Sequence, residues 1–274
     1  MVIILGFLFG SVLGSFAKAI ADRSLSQRSF GGRSYCSHCK KTLRWYDLFP
    51  ILSYLILRGR CRYCHTLIGL DYPLTEVILG FIMALFLSQT TVQFTDSADP
   101  FKITLFIMGL IFNIFVIVVL YIVALTDIRK MLIPDRVILP SIGIGFIALL
   151  VIYLTKYLLF PVWLTVEPFV RSVAAGLGIG LFFATLIIIT KGRGMGGGDV
   201  KLGAFIGLSL GFPNSLVALM LAFLTGAIVS IFLILFKRKH FGQTIPFGPF
   251  LVLGSYISLL WGRQIVDWYL RLSI

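Results

Sequence analysis

Apolar stretches of about twenty residues recur along the whole chain, and this recurrence restricts the fold more than any other feature. Each stretch is long enough to cross a hydrocarbon core of roughly 30 Å as a helix. In lipid a helix satisfies its own backbone hydrogen bonds, so a bundle of helices is the expected architecture. Charge is correspondingly scarce. Only 13% of the 274 residues are charged, against about 25% in soluble domains, and the mean hydropathy is +1.00.

Spans are expected near 2–20, 73–90, 103–126, 137–158, 170–190, 215–236 and 248–268. A shorter apolar piece, 200–212, reaches only about 20 Å at 1.5 Å per residue. Its glycines Gly203, Gly207 and Gly211 recur every four residues, a spacing that lets a neighbouring helix pack closely. Counting it as a crossing gives an all-α polytopic membrane protein of about eight transmembrane helices. The first run, Val2 to Phe16, has basic residues after it rather than before it, which suits a membrane helix better than a cleaved signal.

The charges orient these spans. The loops 21–72, 127–136, 191–201 and 237–247 hold 18 of the 24 Lys and Arg residues. By the positive-inside rule these loops face the cytoplasm and both chain ends lie outside. Omitting the short crossing would move the Lys237-Arg238-Lys239 cluster to the outside. The net charge of +13 thus reflects residues that flank membrane segments, and nucleic acid is not an expected partner.

The soluble part of appreciable size is 21–72, too small for a Rossmann-type domain and marginal for a self-sufficient core. It contains all four cysteines, as Cys36-Ser-His-Cys39 and Cys61-Arg-Tyr-Cys64. Two C-x-x-C knuckles can close a tetrahedral thiolate shell around Zn²⁺. A cytoplasmic position argues against two disulfides. Four cysteines already complete the shell, so the site is expected to be structural, with His38 and His65 as bystanders. The apolar segment from Trp45 to Leu57 is expected to rest on the membrane surface or to pack on the bundle.

Ionisable groups inside or beside a membrane are functional candidates. Asp96, Asp99, Glu167 and Asp267 fall outside by this topology. Asp127 follows the third span, and Asp199 ends the run Gly192-Arg-Gly-Met-Gly-Gly-Gly-Asp199. Both are expected at one membrane depth on the cytoplasmic side. Two facing carboxyls share one proton, so one can activate a water while the other protonates a leaving amide. Each has a plainer explanation alone: a salt bridge from Asp127 to Arg129 or Lys130, and an N-cap by Asp199 for a helix starting at Val200. Asp135 reads as a helix-start residue and His240 as a lipid or solvent contact. Glu76, near the start of the second span, suits an intramembrane pair or a ligand contact.

Several segments together resemble the type IV prepilin peptidases. They are Gly14-Ser15-Phe16, the cysteine loop with Trp45-Tyr46-Asp47 and Arg58-Gly59-Arg60, and Tyr72-Pro73-Leu74-Thr75-Glu76. Asp127 with Ile133-Pro134-Asp135, and Gly196-Gly-Gly198-Asp199, complete the set. The last resembles the G-x-G-D motif shared with presenilin-type proteases. The resemblance implies Asp127 and Asp199 as a catalytic pair in the inner membrane. It also implies cleavage of the leader of prepilins and pseudopilins, and methylation of the new N-terminus with S-adenosylmethionine. Residues 1–100 would then carry the cysteine loop and any methyltransferase part, and 101–274 the peptidase core. Two positions depart from the family pattern: Lys18 stands for a usual Asn, and Asp71 for a usual basic residue. Their opposite charges suggest a coupled swap. The rival reading is a transporter or assembly scaffold with a docking ribbon, but its acids would be expected near mid-membrane.

Overall fold

The computed structural model describes residues 1–92, 99–159, 167–192, 195–236 and 245–272. Asp96, Arg193, the Lys237-Arg238-Lys239 cluster and His240 lie outside the described residues. The long elements are all helical: α1 (Val2–Leu25), α3 (Asp71–Val92), α4 (Pro100–Lys130), α5 (Asp135–Leu159), α6 (Glu167–Ile189), α7 (Gly197–Leu210), α8 (Asn214–Leu235) and α9 (Gly248–Leu272). A short helix α2 (Leu52–Ile56) and a 3₁₀ turn at Trp45–Asp47 lie between α1 and α3. Among the described residues β structure is limited to two isolated bridges, Tyr35 with Thr42 and Arg60 with Leu67.

Six of these helices, α1, α3, α4, α5, α6 and α8, are long and apolar enough to cross a membrane by themselves. The chain is thus a multi-pass membrane protein. The two others differ for separate reasons. α7 has 14 residues, too few for a full hydrocarbon core, and the end of α9 carries Arg263, Asp267 and Arg271.

The chain divides into two compact units, Met1–Ser97 and Ala98–Ile274. In the first, α1 and α3 run antiparallel at close range. Gly6, Gly10 and Gly14 face Ala84, Leu79 with Gly80, and Glu76 in turn. A Cβ at Gly10 would stand 2.6 Å from the Leu79 carbonyl oxygen, so the backbones approach as in small-residue membrane interfaces. Phe7 and Phe81 meet edge to face beside this seam, with centroids 5.2 Å apart.

In the second unit α7 is the hub, packing on α5, α6, α8 and α9, while α4 packs on α5 and α9. Gly203 and Gly207 both face α6, where added Cβ atoms would meet the Phe183 ring and the Ala175 carbonyl oxygen at 2.5 Å. Gly211 ends α7 with φ +65° beside Ser172, a left-handed stop that a side chain would strain. Rings of Phe183, Phe223 and Phe247 join α6, α8 and the residue before α9. The Tyr256 hydroxyl donates to the Ile117 carbonyl at 2.8 Å and so ties α9 to α4.

These connections bring the C-terminal end of α4 together with the starts of α5, α7 and α9. Substituting Gly207→Leu should therefore hurt the second unit directly, because the obstructing atom is backbone. Overpacking costs about 1–3 kcal/mol where side chains can yield. The expected loss lies at the upper end of that range, read as a lowered unfolding midpoint in detergent. A midpoint equal to wild type would show that α6 and α7 do not pack at this distance.

Candidate active site and metal centre

Asp127 lies inside α4 rather than after the third span. The helix continues to Lys130 and stops at Met131, which takes a left-handed conformation and donates to the Asp127 carbonyl at 2.8 Å. The side chain is buried, and its Oδ2 accepts a hydrogen bond from the Gly248 N–H at 2.9 Å. That donor is the first residue of α9, so the carboxyl sits where the helix presents unpaired N–H groups and the positive end of its dipole. Gly248 is required sterically as well: a Cβ there would stand 2.5 Å from Oδ2.

Asp199 lies within α7. The helix starts at Gly197, three residues before the expected Val200, so Asp199 occupies the third helical position instead of the N-cap. Its Oδ2 accepts from the Gly196 N–H at 3.2 Å, and its own N–H donates to the Gly196 carbonyl at 3.1 Å. The carboxyl thus closes the first turn from inside. Among the described glycines of the run, Gly192 is left-handed, at φ +74°, whereas Gly196 is at φ −86°. Gly198 serves a different purpose, since an added Cβ would lie 2.9 Å from the Ile133 side chain. Gly196 and Gly197 remain exposed backbone.

Further contacts fix α7 against the connection from α4 to α5. Ile133 packs over Gly198, and Lys201 Nζ contacts Asp135 Oδ1 at 2.6 Å. Asp135 itself begins α5 as expected. The result is an end of the unit where Asp127, Asp199 and the N-termini of α5, α7 and α9 converge.

The candidate metal centre belongs to the first unit. Cys36, Cys39, Cys61 and Cys64 are free thiols whose Sγ atoms all lie within 4.8 Å of one another. The two knuckles repeat one geometry. Cys36 N–H donates to Lys41 and Lys40 N–H returns to Cys36; Cys61 N–H donates to Thr66 and His65 N–H returns to Cys61. Lys40 and His65 hold matching left-handed turns, at φ 58° and 56°. Asp47 braces the arrangement by accepting from Arg62 Nε at 2.6 Å and from the Arg44 N–H at 3.2 Å.

The electrostatics of the thiols fit a cation site. Hydrogen bonds from the side chain and backbone of Thr66 bring Cys64 down to about 5. Cys39 receives a backbone hydrogen bond from Lys41 that favours its thiolate, yet burial and the adjoining Cys64 and Cys36 thiols push it up to about 11. Four sulfurs this close could share one cation between them. Tetrahedral bonds of about 2.3 Å would separate sulfurs by roughly 3.8 Å, and Cys36 and Cys64 stand 3.8 Å apart.

Residues 8–90 match the family described as the Bacterial Peptidase A24 N-terminal domain, and residues 114–231 match the Type IV leader peptidase family. A prepilin leader peptidase/N-methyltransferase of Bacillus subtilis (strain 168) is 32% identical over 269 residues, covering 98% of each chain. One from Aeromonas hydrophila is 32% identical over 87% of this chain and 74% of its own. A third, from Legionella pneumophila, is 31% identical over 87% and 75%. The chain belongs to the type IV leader peptidase family. No solved structure matches it.

Membership of this protease family places the chain among enzymes. Two features of the peptidase were not anticipated from its sequence. Gly248 was read only as the start of a span, although the Pro246-Phe-Gly-Pro249 run marks a special turn entering a helix. Glu76 is buried and accepts from the Ile51 N–H at 2.7 Å, so it holds the cysteine loop to α3.

Lys18 and Asp71 are paired at 3.0 Å. Lys18 is 2% exposed and also reaches both Asp22 oxygens, at 2.9 and 2.8 Å, and the face of Tyr72 at 4.2 Å. Removing the buried cation should cost more than removing one of its anions. Lys18→Met is expected to lose about 2 kcal/mol. Asp71→Asn should lose less, since Asp22 still holds Nζ. Unfolding midpoints in detergent rank the two, and equal losses would contradict the shared-cation geometry.

Proposed function

We propose that this leader peptidase hydrolyses the peptide bond after the leader of prepilins and pseudopilins, with Asp127 and Asp199 as the catalytic pair. The observation that carries the proposal is the convergence of these two carboxyls at the end of α4 and the start of α7, which Ile133 against Gly198 and Lys201 on Asp135 hold together. Two such groups do not both ionise readily and hold one proton between them. The ionised carboxylate takes a proton from water, and the water oxygen attacks the scissile carbonyl carbon. The protonated partner donates its proton to the carbonyl oxygen, giving a gem-diol. The proton taken from water then passes to the leaving nitrogen and the C–N bond breaks, while the partner regains its proton from a gem-diol hydroxyl, so no covalent intermediate forms.

The surroundings suit an extended substrate. Gly196 and Gly197 offer exposed backbone beside Asp199, where a peptide can approach closely. The Gly248 N–H fixes the orientation of Asp127, and Ile133 against Gly198 sets where α7 begins. By the distribution of basic residues, the site and the cysteine loop face the cytoplasm from the inner membrane.

In the first unit we assign Zn²⁺ to Cys36, Cys39, Cys61 and Cys64. It serves as a structural centre with a closed thiolate shell. Its binding would supply about 10–16 kcal/mol of apparent energy to a loop with little core. The relatives' names include N-methyltransferase, which supports methyl transfer to the newly exposed amine; S-adenosylmethionine is our proposed donor. The direct Lys18–Asp71 pair supports retention of that activity, because the two departures compensate each other in place. Glu76 is a weaker candidate for the donor site, since the Ile51 N–H already engages its carboxyl.

Asp127→Asn and Asp199→Asn should each reduce cleavage of a purified prepilin to background while leaving thermal unfolding near wild type. Full cleavage by either variant would remove the pair. Gly248→Ala should displace Asp127 and lower cleavage by about a hundredfold, the scale of an ångström-level misplacement.

Purified protein should contain close to one zinc per chain, and chelation should make all four thiols available to a thiol reagent. Four freely reactive thiols in untreated protein would refute the metal assignment.

A further inference from the structure

The loop between α1 and α3 exposes an apolar stripe that its zinc knuckles do not use. Trp45, Phe49, Leu52, Leu55 and Ile56 are between 51% and 75% exposed. Leu52, Leu55 and Ile56 share the outer face of α2 by their spacing. The inner face carries Tyr54, whose hydroxyl donates to the Ile68 carbonyl at 3.2 Å and packs against Gly59. Trp45 and Phe49 lie just before α2 in the chain, with ring centroids 6.3 Å apart. Five large apolar side chains this exposed within twelve residues call for a partner.

The backbone fixes where the stripe sits. Ile51 has φ 60° and ψ −49°, and the Leu52 N–H closes on the Pro50 carbonyl across it. This is a γ-turn of the rare positive-φ form, strained for a β-branched residue. Glu76 holds the turn by accepting the Ile51 N–H. Glu76 is five residues into α3, about 7.5 Å along the helix axis from Asp71. Asp71 belongs to the polar cluster with Lys18, Asp22 and Tyr72, which suits the headgroup level. The stripe is therefore anchored a little deeper than that cluster. Interfacial helices bury their apolar faces by about 5–10 Å.

We propose that Trp45–Ile56 is an interfacial foot, set by the Glu76-held turn at the boundary between headgroups and acyl chains of an anionic bilayer. Trp45 and Phe49 occupy the aromatic belt. Exposed Arg58 and Arg60 follow α2 directly, and their charge complements lipid phosphates. The loop carries nine Lys and Arg residues in 21–72, which favours an anionic surface over a neutral one. The foot stands apart from the peptidase reading and rests only on α1 and α3 crossing a membrane.

The full chain in lipid nanodiscs provides the test. Trp45 is one of four tryptophans, so its signal is the difference between wild type and Trp45→Phe. This difference emission should be blue-shifted, quenched by lipids brominated high on the acyl chain and protected from aqueous acrylamide. Quenching by the bromolipid should be stronger with phosphatidylglycerol present than with phosphatidylcholine alone. Glu76→Leu should lose most of the bromolipid quenching while zinc content stays at the wild-type level. Emission open to acrylamide and untouched by bromolipid would overturn the foot. So would a response to added prepilin peptide, or to a higher number of chains per nanodisc, without a response to bromolipid. Equal quenching in neutral and anionic bilayers would overturn the headgroup contact, and full quenching in Glu76→Leu would overturn the pinning by Glu76. Prepilin cleavage in the same samples reports separately on the peptidase.

Discussion

A carboxyl group among helices that face lipid has few ways of being held in a defined orientation. Here backbone N–H groups at helix starts provide it: Gly248 at the start of α9 for Asp127, and Gly196 before the first turn of α7 for Asp199. Such donors are unpaired within their own helices, so directing them at a carboxyl costs the helix nothing. The arrangement makes strict demands on the rest of the unit. The start of α9 must reach the end of α4, and α7 must begin beside the connection from α4 to α5. The short length of α7 and its two glycines against α6 meet the second demand, while the Tyr256–Ile117 hydrogen bond meets the first. Packing far from the carboxyls thus determines where they point.

Much of this was legible in the sequence because lipid simplifies the pattern. Long apolar runs indicated the helices, and scarce charge left few acids to consider. Two C-x-x-C knuckles pointed directly to the cluster of four thiols. Boundaries were harder to read, since α4 and α7 extend through polar residues that usually end a span. In both cases the extension is supported by hydrogen bonds of the backbone: Met131 on Asp127 at one helix end, and Asp199 on Gly196 at the other. Hydropathy carries no information about either.

Glycines divide along the same line. The four-residue spacing of Gly203, Gly207 and Gly211 stood out because α7 is short and otherwise apolar. Gly6, Gly10 and Gly14 have the same spacing but lie within a run that already reads as a complete span, and only the Gly14-Ser15-Phe16 motif draws attention to one of them. Gly248 was harder still. Its requirement arises from Asp127, 121 positions away, and a contact of that range leaves no periodic trace.

Lys18 shows how a departure from a family pattern can be read physically. A buried lysine alone would be costly, and an acid at the start of α3 would be unremarkable. Together they form one cluster in which a single cation serves Asp22, Asp71 and the Tyr72 ring. The cluster ties the end of α1 to the start of α3, one turn beyond the Gly14–Glu76 contact. Glu76 is therefore fixed from two sides, by the α1–α3 seam and by the Ile51 N–H. The strained turn at Ile51 persists because its anchor cannot shift. An ion pair can replace the usual neutral and basic residues without loosening the loop, provided it spans the same two helices.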